Sequence, residues 1–241
     1  MEYVFKILRF DPEEDDEPRF QSYPYETTQP RTLLEALMEI RNEQDPSLSF
    51  RYSCREAVCG SCGMVIDGQI GLACKTQLAD LRGPAILIEP LPNLEIEKDL
   101  IVDLGPFWEA LEKVRPYLIA GERPEGGYRI QDSEAEELFQ YAGCILCGCC
   151  YSACPVTALR KEYLGPAALA KLHRFRLDSR DTRTAEDVRV AASEGGLWAC
   201  RSILRCNSVC PKQVSPAQGI SGLRRRWFLD RIRRLFRFKV R

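Results

Sequence analysis

Histidine is nearly missing from this chain, and long apolar runs are missing altogether. A single histidine, His173, stands among 241 residues. A histidine metal site needs partner ligands that such a sequence does not offer, so His173 is expected at the surface or packed between helices. No run of about eighteen apolar residues occurs, so no helix is expected to span a membrane. Neither sign of charge is in excess, with 34 basic residues against 35 acidic ones. That balance singles out no class of partner, and no nucleic acid is expected. The opening Met-Glu-Tyr-Val-Phe-Lys lacks a basic region, an apolar core and a small-residue cleavage site, so no secretory signal is expected. No acid–base pair or activated nucleophile is evident, so no catalytic residue is expected in this chain.

Cysteine, by contrast, is plentiful at twelve residues. In a short secreted chain that would suggest a disulfide scaffold. The length, the missing signal and the spacings favour metal clusters in a reducing, cytoplasmic compartment instead. Cys144-Ile-Leu-Cys147-Gly-Cys-Cys150-Tyr-Ser-Ala-Cys154-Pro155 reads C-x2-C-x2-C-x3-C-P, the bacterial ferredoxin run in which the fourth cysteine serves a second cluster. Pro155 is expected to end the local helix and turn Cys154 toward that other site. The partner run is Cys200-Arg-Ser-Ile203-Leu-Arg-Cys206-Asn-Ser-Val-Cys210-Pro211, with Ile203 where a second cysteine would stand. Crossing the runs assigns Cys144, Cys147, Cys150 and Cys210 to a 4Fe–4S cluster. It leaves Cys154, Cys200 and Cys206 for the other site. Ile203 cannot ligate iron, so three thiolates there favour a 3Fe–4S cluster. A four-cysteine zinc site is the alternative, but zinc motifs pair two C-x2-C units across a long gap.

An earlier loop, Cys54-Arg-Glu-Ala-Val-Cys59-Gly-Ser-Cys62, reads C-x4-C-x2-C. This is the plant-type 2Fe–2S spacing, and Cys74 completes it. Gly60 and Gly63 are expected to let the backbone curl until N–H groups point at sulfur. Cys149 lies off the ligand register and is expected to be a small buried filler.

Around these motifs the pattern predicts strands over 2–10 and 19–26, then a helix from Leu33 with Thr32 as N-cap. A hairpin is expected over 64–73, and a last strand over 84–91. Helices are expected over 104–115 with Pro106 in the first turn, from a Ser133–Glu136 capping box, and over 166–178. Residues 186–192 and 195–199 lead into the second cysteine run. Strand, strand, helix and cysteine loop is the order of a β-grasp ferredoxin, and the second half is mostly helical. The fold class is therefore α+β: a plant-type β-grasp ferredoxin domain over 1–104, then an all-helical bacterial-type ferredoxin domain over 105–241. The end of the chain is basic, and Ile220, Leu223, Trp227, Phe228, Ile232, Leu235 and Phe236 recur at helical spacing. Such a helix suits an anionic membrane face, a membrane subunit, or packing on the core with a solvated tail.

Together these motifs resemble the iron–sulfur subunit of succinate dehydrogenase and fumarate reductase, over nearly the whole chain. Arg51-Tyr-Ser-Cys54-Arg55, Leu72-Ala-Cys74, Gly165-Pro166, Arg174-Phe175, Asp178-Ser-Arg-Asp181 and Cys210-Pro-Lys212 carry the resemblance further. It implies an electron wire between a flavoprotein partner with FAD and a membrane anchor that binds quinone. The order would be FAD, 2Fe–2S, 4Fe–4S, 3Fe–4S, quinone for succinate oxidation, and the reverse for fumarate reduction. It also implies a peripheral position on the cytoplasmic face of the inner (plasma) membrane. Pro155 and Ile203 match positions lining the family's quinone pocket. Two departures stand near it, with Leu159 where the family often has Trp and Arg201 where it often has His. Arg201 keeps a positive charge by the cluster, whereas Leu159 offers no donor. The other readings are a fumarate reductase with a non-quinone thiol donor, and a free ferredoxin-like carrier.

Overall fold

The computed structural model describes residues 1–184 and 188–237, the last four of these by their backbone alone. Glu186, at the start of the 186–192 segment, and the side chains of Leu235 and Phe236 fall outside the described residues. The chain forms two compact units. The first comprises Met1–Leu104 with Ile145–Ala153 and Val209–Pro211; the second comprises Gly105–Cys144, Cys154–Ser208 and Lys212–Arg241.

In the first unit β1 (Glu2–Arg9) and β2 (Arg19–Glu26) form an antiparallel hairpin. Alternation drives β1. Tyr3, Phe5, Ile7 and Arg9 point inward while the residues between them face out or are half-buried. Burying Phe5 or Ile7 fully stabilises the sheet by roughly 1.5–3 kcal/mol each. The sheet order is β2-β1-β5-β3-β4, with β3 (Gly63–Ile66), β4 (Gln69–Leu72) and β5 (Ala85–Glu89). β1 and β5 run parallel; the other pairs are antiparallel. Residues 84–91 supply a strand as expected, β5, but not the last one: β6 (Ile96–Lys98) and β7 (Ile101–Val102) follow as a separate small ladder. Helix α1 (Leu33–Glu43) buries Leu33, Leu34, Ala36, Leu37 and Ile40. Thr32 caps it through a reciprocal capping box with Glu35, an arrangement whose loss costs about 1 kcal/mol.

Two charged residues, Arg9 and Asp99, sit inside this unit. Arg9 donates from Nε to Asp99 at 2.9 Å and from Nη2 to Ser47 at 2.8 Å, and its Nη1 meets Tyr23 and Asp45. Asp99 also accepts from the backbone of Phe10 and Ser49. The network ties β1 to the loop before the cysteine loop.

The second unit is helical. Its core helix α6 (Gly165–Leu177), with Pro166 in its first turn, is buried along most of its length. Helices α2 (Gly105–Glu112), α3 (Asp132–Ala142) and α8 (Pro216–Arg237) pack on it. One expectation is corrected here and one is narrowed. The helix over 133–136 begins at Asp132 with Gln131 as N-cap, and no side chain caps it. Asp132 and Glu134 place negative charge in that first turn instead, where it complements the helix dipole. Of the two places expected for His173, the structure shows the one packed between helices. His173 is buried on α6, edge-on to Tyr141 at 4.9 Å, beneath Gly219 and Gly222 of α8.

Candidate cluster sites

The early cysteine loop is a nest of backbone donors. Arg55 and Ala57 adopt left-handed φ values of 61° and 54°, as does Gly60 at 77°. Alternating left-handed residues turn successive N–H groups to one side, which builds an anion-binding concavity. Sulfur occupies it. Cys54 Sγ accepts from the N–H of Glu56, Val58 and Cys59 at 3.4, 3.3 and 3.2 Å. Cys74 Sγ accepts from Ala57 at 3.3 Å, and Cys59 Sγ from Cys54 at 3.4 Å. These five bonds come from residues 54–59, so the curl expected of Gly60 and Gly63 is made largely by Arg55 and Ala57. The glycines do a different job. A Cβ on Gly60 would fall 2.7 Å from Ile145 O and 2.9 Å from Cys147 Cα, and one on Gly63 would fall 3.3 Å from Cys149 Sγ. They admit the 145–149 segment.

Electrostatics in this loop favours thiolate unevenly. Burial pushes Cys59 up, but the Ser61 hydroxyl and backbone N–H groups outweigh it and bring the thiol down to about 6. Burial pushes Cys62 up to about 12, with the neighbouring Cys74 thiol adding to it.

The first unit also holds Cys147, Cys150 and Cys210. Cys144 falls in the second, one residue before the Ile145 boundary. Gly148, at φ 76°, turns the chain into the short helix α4 (Cys149–Ser152). Cys149 is fully buried in the core of the first unit, as a filler should be. Contact with it lowers Cys147 to about 7. Lys75 Nζ donates to Pro211 O at 3.1 Å, fixing the end of the second run.

The second unit brings Cys154, Cys200 and Cys206 to the wall of one small cavity. Pro155, Arg201 and Ile203 line the same space, with Val156, Tyr163 and Ile220 among the apolar walls. Pro155 does more than end a helix: it opens α5 (Pro155–Leu159), with Cys154 as its extended N-cap. Cys206 lies on α7 (Arg205–Ser208). Arg224 of α8 donates to Cys200 O at 2.7 Å and to Leu197 O, so a side chain 24 residues downstream holds the Cys200 loop. Leu159 does not line the cavity and is 83 % exposed; Ile203 and Leu204, at its mouth, are 52 % and 55 % exposed.

In this apolar cavity the Cys206 thiol resists ionisation. Burial, then Cys154 and Cys200, push Cys206 up to about 11. A cationic iron core would relieve that mutual repulsion. The Tyr163 hydroxyl is buried on this wall and makes no well-formed hydrogen bond. An orphaned donor beside three thiols fits a sulfur-rich group that accepts hydrogen bonds. Among the described residues no three His, Cys, Asp or Glu side chains close on a single-ion position. Sequence reading found the cysteines but missed Tyr163, Arg224 and the left-handed Arg55 and Ala57. None of these carries a local signal.

Comparison with known proteins bears on the same residues. A family described as "2Fe-2S iron-sulfur cluster binding domain" matches residues 4–109, and a "4Fe-4S dicluster domain" matches 140–214. The fumarate reductase iron-sulfur subunit of Haemophilus influenzae is 42 % identical over 229 residues, covering 90 % of this chain and 89 % of that protein. The succinate dehydrogenase iron-sulfur subunit of Coxiella burnetii is 39 % identical over 225 residues, covering 92 % and 95 %. In fold, a chain of the Mycobacterium smegmatis Sdh1 complex in the apo form matches with TM-score 0.80 at 24 % identity, covering 93 % of this chain and 95 % of that one. The chain belongs to the family of electron-transferring iron–sulfur subunits of fumarate reductases and succinate dehydrogenases.

Proposed function

We propose that this chain binds three clusters through eleven of its cysteines and relays electrons between a flavoprotein partner and membrane quinone. Cys54, Cys59, Cys62 and Cys74 hold 2Fe–2S. Cys144, Cys147, Cys150 and Cys210 hold 4Fe–4S, and Cys154, Cys200 and Cys206 hold 3Fe–4S. When bound, the clusters supply one-electron carriers between FAD in the flavoprotein subunit and quinone at a membrane anchor, from succinate toward quinone or in reverse for fumarate reduction. The residues of the chain position and tune. The 54–59 backbone donates to sulfur, Arg224 fixes the Cys200 loop, and Ile203 closes one corner of its cavity without a ligand. Hydrogen bonds to sulfur and exclusion of water are how a protein sets such potentials.

The observation that carries this reading is the apolar three-thiol cavity, which gathers Pro155, Arg201 and Ile203 at one mouth. Quinone fits beside it, with Arg201 as the charged group at the opening. Peripheral attachment to the cytoplasmic face of the inner membrane, through anchor subunits, follows from that mouth. It agrees with the exposed Phe228, Leu229 and Ile232 on the arginine-rich α8. Among the described residues no helix is long and apolar enough to cross a membrane. The test is Arg201→Leu in the assembled complex. Quinone reduction should fall while reduction of an artificial acceptor at the flavin persists. Unchanged rates in both assays would remove Arg201 from the quinone site. Loss of quinone activity with full cluster content would support it.

A further inference from the structure

Tyr163 is the least explained polar group of the second unit. It is 1 % exposed and lies between α5 and α6, in the loop that leads to Leu164. Its hydroxyl is enclosed and makes no well-formed hydrogen bond, and the Cys200 thiol is the protein group placed to accept one. Leaving such a donor unmade costs about 1–3 kcal/mol, so a native tyrosine there implies an acceptor. Phenylalanine would fill the same space at no such cost. The ring lines the cavity that Cys154, Cys200 and Cys206 share.

The loop behind it is set firmly. Leu164 N donates to Gly195 O at 2.8 Å, and Gly195 and Gly196 lie so close to Glu162 and Ala191 that neither admits a Cβ. The tyrosine cannot drift toward solvent to find water.

We propose that Tyr163 sets the potential of the cluster held by Cys154, Cys200 and Cys206, its hydroxyl donating a hydrogen bond to a sulfur of that cluster. The proposal rests on the reading that these three cysteines bind a cluster. A donor to sulfur favours the state with one more electron, because that state carries more negative charge. Removing it should lower the midpoint potential of this cluster alone.

The experiment is an EPR-monitored redox titration of the complex with all clusters in place, wild type against Tyr163→Phe. At fixed ambient potential the reduced-to-oxidised ratio should fall about tenfold in the variant, which is a shift of about 59 mV for a one-electron couple. The 2Fe–2S and 4Fe–4S potentials should not move. A purely structural role is separated by electron–nuclear double resonance in deuterated water. Wild type should show an exchangeable deuteron coupled to the cluster, and Tyr163→Phe should lack it. That measurement on wild type alone needs no variant to fold. An unchanged potential, or the same coupled deuteron in the variant, overturns the proposal while leaving the cluster assignment standing. Absence of any third cluster signal in wild type overturns both.

Discussion

Gly222 stands where α8 crosses α6, and replacing it with alanine sets two effects against each other. Alanine in a helix interior gains about 1 kcal/mol over glycine through backbone entropy. Against that, the new Cβ would fall within 2.9 Å of His173 Nε2 and 3.1 Å of Nδ1, with Cε1 closer still. The imidazole has little room to yield. It is 6 % exposed, Tyr141 stands perpendicular to it, and Gly219 closes above it. The helices must part instead, and overpacking of this kind costs about 1–3 kcal/mol. Clash outweighs propensity, so Gly222→Ala should destabilise the protein by up to about 2 kcal/mol net. In a His173→Ala background the obstacle is gone and the same substitution should stabilise by about 1 kcal/mol. Denaturant midpoints at constant slope measure both arms of the cycle. Equal effects in the two backgrounds, or a stabilised single variant, would refute the packing argument. The consequence reaches the cluster cavity, because Ala217 and Ile220 line it from the same helix.

Three further outcomes follow from the same geometry. Burial, with Arg226 nearby, holds His173 down to about 4 against an ordinary 6.5; its stabilising contribution is complete above pH 6.5 and is lost as pH falls toward 4, at about 1.4 kcal/mol per pH unit. Stability measured at pH 7.5 and 5.5 should therefore diverge more in wild type than in His173→Leu, and parallel curves would contradict the buried neutral ring. Arg9→Met strands the buried Asp99 carboxylate and should cost about 3–5 kcal/mol by denaturant unfolding, whereas a loss under 1 kcal/mol would mean that water replaces the guanidinium. Cys149→Ala should keep full iron content, since that thiol is buried among core side chains; iron loss equal to that of Cys147→Ala would make it a ligand.

The two halves were not equally legible. β1, β2 and α1 announce themselves by alternation, by 3.6-residue spacing and by the Thr32–Glu35 capping box, all local signals. So do the cysteine spacings, because a cluster imposes its dimensions on neighbouring residues of one loop. The left-handed Arg55 and Ala57 were invisible, since neither is glycine and only the sulfur acceptors make that backbone worthwhile. His173 was left between surface and helix packing because its burial depends on Gly219 and Gly222, nearly fifty residues later. The Ser133 start failed because charge in the first turn, at Asp132 and Glu134, serves in place of a side-chain cap. Tyr163 and Arg224 gain meaning only when the chain returns on itself around Cys200.

Low-temperature EPR with iron and sulfide analysis on the anaerobically purified protein tests the central claim most directly. The account predicts about nine irons per chain, with a 3Fe–4S signal in the oxidised state and the 2Fe–2S and 4Fe–4S signals appearing on stepwise reduction. Two interacting 4Fe–4S signals with no 3Fe–4S signal would contradict it, because Ile203 would then not determine the cluster that Cys154, Cys200 and Cys206 hold.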